Sequence, residues 1–126
     1  MKAVQKWYGN YHVLKDLDFS IEHGERVVIC GPSGSGKSTL IRCINGLETY
    51  DSGSIVVNGI ELIHQAESVG RIRSIVGMVF QQFNLFPHLS ALENCTLALT
   101  EELGLTQFQA NEKAMQYLSR VRVADQ

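Results

Sequence analysis

Gly31, Gly36, Lys37 and Ser38 stand at the spacing G-x-x-x-x-G-K-[ST] inside "CGPSGSGKSTL", residues 30 to 40. Each type suits one task in holding phosphate. Gly31, Gly34 and Gly36 reach backbone angles closed to other residues, so the N–H groups from 31 to 39, those of Ser33 and Ser35 included, can turn inward around an anion. A helix starting there adds the positive end of its dipole. Lys37 would meet the β- and γ-phosphates as a point charge, Ser38 would offer its hydroxyl to Mg²⁺, and Thr39 would be a further phosphate donor. At ordinary residue frequencies this pattern arises by chance in under about one chain in a hundred of this length. A nucleotide cradle is therefore a better reading than an accidental glycine-rich turn.

The flanking elements fit. Arg26-Val27-Val28-Ile29-Cys30 is β-branched and leads in as a strand, and a helix from about Lys37 to Asn45 leads out, with Gly46 where a helix stops. Upstream, Leu17, Phe19 and Ile21 alternate with polar residues as in a half-buried strand, and Glu22 to Glu25 read as the turn between the two. Ser54 to Leu62 reads as a hairpin about Asn58-Gly59, a pair suited to a type I′ turn. Ile75 to Phe80 is a further apolar strand. Ser90-Ala91-Leu92-Glu93 and Thr106-Gln107-Phe108-Gln109 have capping-box spacing, and the second opens a helix to about Arg122 with Ala114, Met115, Leu118 and Val121 on one face. The whole is an α/β protein with an antiparallel β-rich flank.

At 126 residues, 44% of them hydrophobic and 19% charged, one globular domain is expected at most. A net charge of −2 with no basic run gives no reason to expect nucleic acid. The start lacks a signal peptide's apolar core and nothing approaches a membrane span, so a soluble, cytosolic chain is expected. Cys30, Cys43 and Cys95 are too widely spaced for a disulfide frame or zinc site and read as small buried apolar residues. His12, His23, His64 and His88 show no metal-ligand spacing and read as surface or loop residues.

Three segments, in order, resemble the first half of the nucleotide-binding domain of ATP-binding-cassette (ABC) transporters: "WYGNYHVLKDLDFSIEHGERVVICGPSGSGKSTLIRCINGLE", "DSGSIVVNG" and "VGMVFQQFNLFPHLSALENCTLAL". "RCINGLE" with "VFQQFNLFPHLSALEN" is most similar to ATPase subunits of bacterial polar-amino-acid importers. The resemblance implies a truncated P-loop NTPase core with an antiparallel β subdomain and the start of a helical subdomain over 1–126. The phosphate loop falls at 31–39, the Q-loop at about 81–87 and the helical segment at 90–123. It implies that Tyr8 stacks on adenine and that Gln81 ligates Mg²⁺ and senses the γ-phosphate, so that Ser38 and Gln81 share the metal. Phe83, Leu85 and Phe86 are either a buried cluster under their loop or, as the resemblance implies, part of the surface that docks on a membrane permease. ATP and Mg²⁺, a homodimer, an indirect link to a periplasmic amino-acid-binding protein, and a place on the inner face of the cell membrane are implied in the same way.

Hydrolysis needs more than the cradle: a carboxylate at the end of a neighbouring strand and a group that positions water. No apolar run here ends in a suitable Asp or Glu, since Leu14 to Asp16 is too short and lies before the phosphate loop. Arg26–Cys30 runs into Gly31, Ser54–Val57 into Asn58 and Ile75–Phe80 into Gln81. The resemblance places the Leu-Ser-Gly-Gly-Gln signature, the Asp-Glu of Walker B and the switch histidine further on, so no catalytic residue is expected in these 126 residues and little turnover from them alone. A short, non-catalytic nucleotide- or partner-binding protein is the alternative. A P-loop kinase with Arg71 and Arg73 in a lid is a third.

Overall fold

The computed structural model describes residues 1–125, in two units that divide after Gly77. In the first, β1 (Lys2–Tyr8) turns at Gly9-Asn10 into β2 (Tyr11–Leu17), and β1 pairs on its other edge with β3 (Ser52–Ser54). The antiparallel sheet is thus ordered β2-β1-β3. Helix α1 (Lys37–Ile44) follows the phosphate loop. It ends on Gly46 at φ 68° with a Schellman pair, the Leu47 N–H donating to the Arg42 carbonyl and the Gly46 N–H to that of Cys43. The expected hairpin is present as β4 (Val56–Val57) and β5 (Ile60–Glu61), with Asn58 and Gly59 both at positive φ as a type I′ turn requires. Ser52–Ser54 belongs to the other sheet.

The core of this unit gathers Val4, Leu14, Leu40, Cys43, Ile55, Leu62 and Ile72. It is closed by α2 (Ala66–Arg73), a helix absent from the sequence reading. Ser68 ties α2 down by donating to the Glu61 carbonyl at 2.7 Å and accepting from the Ile63 N–H at 3.2 Å. Arg73 donates to the carbonyls of Asn45 and Gly46, satisfying groups left open at the C-terminal end of α1. That position is the opposite end of the helix from the phosphate loop, which removes Arg73 from any lid.

Three expected strands are not formed among the described residues. Leu17 ends β2, and Phe19 exchanges backbone bonds only with Met1. Residues 26–30 and 75–80 are not strands, and Val28 and Val79 stand 84% and 92% exposed. A strand exists only through a ladder of hydrogen bonds to a neighbour, so strand composition alone does not make one. Cys30 is exposed with its segment and Cys95 is exposed on a helix, so only Cys43 meets the buried reading. There, burial pushes the thiol up to about 11. His12 is likewise no loop residue: it lies in β2, stacked on Trp7 with ring centroids 4.0 Å apart.

The second unit is a helical pair, α3 (Ala91–Glu101) and α4 (Gln107–Arg120). Both open on complete capping boxes, Ser90 with Glu93 and Thr106 with Gln109, as their spacing predicts. The buried face of α4 is set by Ala110 and Ala114, whereas Met115 and Val121 are exposed. The apolar stripe therefore lies about one turn N-terminal to its expected place.

Candidate functional site

The phosphate loop closes on its own lysine. Lys37 Nζ donates to the carbonyl oxygens of Gly31 (2.9 Å) and Pro32 (2.6 Å) and to Ser35 Oγ (3.3 Å). The ammonium thus sits inside the curve of the loop, where a phosphate would meet it. Gly36 caps α1 at φ 85° with no side-chain bond to the helix amides. α3 and α4 spend a side chain on those amides, and α2, which also lacks a cap, carries Glu67 in its first turn. α1 has neither a cap nor an acid there, so its first N–H groups and its dipole are left for an external anion. Gly36 also fits closely under β2: a Cβ would lie 2.9 Å from Val13 Cγ1 and 3.2 Å from the Val13 carbonyl oxygen. Packing and φ together exclude another residue.

Tyr8 ends β1, 46% exposed, and shares one depression of about 260 Å³ with Tyr11, Val13 and residues 34–39 of the loop and helix. The two sequence-predicted parts, the aromatic ring and the phosphate cradle, are thus brought together, with Ser38 and Thr39 on the same wall. The loop's backbone amides, its ammonium and the Ser38 hydroxyl are the donor set that Mg-nucleotide needs. A larger cavity of about 460 Å³, lined by Met1, Phe19 and Val56 among others, contains no residue of the phosphate loop.

The far end of β1 is fastened to residues 48–51. Lys6 Nζ pairs with Glu48 at 3.0 Å and donates to Thr49 Oγ1 at 3.3 Å, and the Trp7 N–H donates to Asp51 Oδ2 at 2.6 Å. Burial alone would lower the Lys6 pKa, but the Glu48 carboxylate, helped by Asp51, holds it above its ordinary value. Contact with the Tyr8 hydroxyl, then with Lys6, draws Glu48 below its ordinary 4.5. Burial, then Glu48, raises the Tyr8 phenol, with Thr39 opposing. None of this was read from the sequence. The signal was Lys6 itself, a cation two residues after buried Val4 on the inward face of a strand.

A pH dependence follows. Glu48 has a lowered folded pKa, so its contribution is complete above 4.5 and is lost as pH falls through the folded value; Lys6, raised, keeps its contribution below 10.5 and loses it above. Unfolding midpoints from pH 7 down to 3 should therefore fall less steeply in Glu48→Gln than in the parent. Equal slopes would show that the pair carries no linkage.

Gln81 lies in the second unit, exposed at the turn in which the Phe83 N–H donates to the Phe80 carbonyl. Phe83, Leu85 and Phe86 are 77%, 67% and 49% exposed, so they form no buried cluster. Asn94 of α3 holds their loop, accepting from the Phe86 N–H and donating to the carbonyls of Phe86 and Leu89.

The profile of the ABC transporter family matches residues 14–126. The chain belongs to that family. ABC relatives extend over its full length. An uncharacterized amino-acid ABC transporter ATP-binding protein of Escherichia coli is 54% identical over 99% of this chain and 50% of its own. A glutamate/glutamine/aspartate/asparagine transport ATP-binding protein of Rhodobacter capsulatus is 54% identical over 100% and 48%. A glutamate/aspartate import ATP-binding protein of Escherichia coli is 51% identical over 96% and 50%. The chain spans about half the length of these curated relatives. Among solved structures, a dimeric ABC cassette in a post-hydrolysis state bound to ADP and Pi superposes with a TM-score of 0.82 at 35% identity, over 94% of this chain and 54% of that one. The expected P-loop NTPase fold class stands with it.

Proposed function

We propose that this chain is part of the ATP-binding subunit of an ABC importer, in which ATP binding and hydrolysis are coupled to uptake of a polar amino acid. The observation that carries it is the shared depression of Tyr8 with Gly34 to Thr39, a ring and a phosphate cradle at the reach of one nucleotide. Tyr8 stacks on adenine, the amides of residues 31–39 and Lys37 hold the phosphates, and the Ser38 hydroxyl would hold Mg²⁺. The ion supplies charge neutralisation between the phosphates. Relatives named for glutamate, glutamine and aspartate transport support an acidic or amide amino acid as cargo.

The exposed Phe83, Leu85 and Phe86 suit a surface for permease subunits, and a periplasmic binding protein would act through them. A solved relative described as dimeric supports a homodimer. No helix among the described residues is long and apolar enough to cross a membrane, which accords with a peripheral subunit on the inner face of the cell membrane.

The test is the protein expressed from its own gene, weighed intact and assayed for Mg-dependent ATP hydrolysis. A mass about twice that of 126 residues, with turnover, is the expected result. A product of this length that binds ATP without turnover would replace the ATPase with a nucleotide-binding protein.

A further inference from the structure

Lys6 is the one charged side chain among the described residues in the buried class, 5% exposed. Glu48 and Thr49 satisfy it, yet a buried ion pair is on average no better for stability than a well-packed apolar pair. Folding alone gives no reason for a cation there. The neighbouring ring does: Lys6 Nζ lies 5.0 Å from the Tyr8 ring centroid, over its face.

We propose that Lys6, anchored by Glu48, is a positioning residue that fixes the Tyr8 ring for a stacked purine, its ammonium covering one face and leaving the other for the base. The inference rests on the reading of Tyr8 as the base-stacking ring. At a strand end beside a Gly-Asn turn and half-exposed, that ring would otherwise be free to turn about its side-chain bonds, and ordering it would cost affinity. A cation over one face restrains it. Its hydroxyl, against the Glu48 carboxylate and the Thr39 hydroxyl, is restrained at the edge as well.

The experiment compares ATP with inorganic tripolyphosphate, each with Mg²⁺, on the full-length gene product, by titration calorimetry. Tyr8→Ala should weaken ATP about tenfold or more and leave tripolyphosphate unchanged. Lys6→Met should weaken ATP about threefold to tenfold, again sparing tripolyphosphate, and should add nothing on the Tyr8→Ala background. Lys6→Arg, which keeps a cation over the ring, should retain affinity. If Lys6→Met does not fold, Glu48→Gln carries the same expectation of a base-selective loss.

Unchanged ATP affinity in Lys6→Met, or in its substitute, with a loss in Tyr8→Ala overturns the positioning role alone. Equal losses for ATP and tripolyphosphate overturn it too, since the cation would then act on the fold or the field. No loss in Tyr8→Ala removes the stacking ring itself.

Discussion

Lys37→Ala is expected to weaken ATP binding about 40- to 150-fold, read by displacement of a fluorescent ATP analogue. Two unit charges 4 Å apart at an effective dielectric of 20 attract by about 4 kcal/mol before desolvation. The whole of that is not recovered, because the ammonium already donates to the Gly31 and Pro32 carbonyls and to Ser35 Oγ and must exchange those bonds for phosphate oxygens. A charge-assisted hydrogen bond retains a net of about 1.5–3 kcal/mol after such exchange, and the upper half of that range gives the stated loss. The three loop oxygens are in exposed bonds, so water replaces the lysine and the unfolding midpoint should hardly move. A loss below threefold would show that the loop amides bind phosphate without the lysine.

What could be read in advance was what local chemistry decides. The phosphate loop, the Asn58-Gly59 turn, the Gly46 stop and the caps at Ser90 and Thr106 each rest on residues within a few positions of one another, and each is formed. The failures are non-local. Arg26 to Cys30 and Ile75 to Phe80 have strand composition, but a strand also needs a neighbour to pair with, and neither run is a strand among the described residues. β1 went unread because Lys6 occupies an inward position and breaks the apolar alternation. Its partner Glu48 lies beyond the phosphate loop and α1. α2 has eight residues, with Gly70 and three charges among them, and its buried Ser68 works through backbone groups of 61 and 63. For the candidate site the consequence is specific. The groups proposed to hold phosphate were legible from spacing, while those packed about the Tyr8 ring were not, since they come from segments joined only by folding.

Gly53→Ala should cost about 3 kcal/mol of stability, measured by urea unfolding. Gly53 is the middle residue of β3 and has φ +93°, which an L side chain reaches at about 1–2 kcal/mol. It also faces an irregularity in β1. Lys2 pairs with Ser54 and Gln5 with Ser52, so β1 fits one more residue into the interval than β3 does. Ala3, inside that bulge, has φ 45° and turns its N–H to Asp18 Oδ1 at 2.8 Å. The bulge aims carbonyl oxygens at Gly53: a Cβ there would overlap that of Ala3 and stand 2.6 Å from that of Lys2. Backbone cannot rotate away as a side-chain tip can, so overpacking adds about 1–3 kcal/mol. Gly59→Ala separates the two contributions, since its φ is +77° with nothing within 4 Å of the new Cβ. It should cost only the backbone share, about 1 kcal/mol. Relief in Gly53→Ala requires β1 to draw away from β3, and β1 carries Lys6 and Tyr8 at its far end. The variant should therefore also lose ATP affinity while Gly59→Ala keeps it. Equal destabilisation by the two would mean that the bulge yields freely and that β1 is not fixed from this edge.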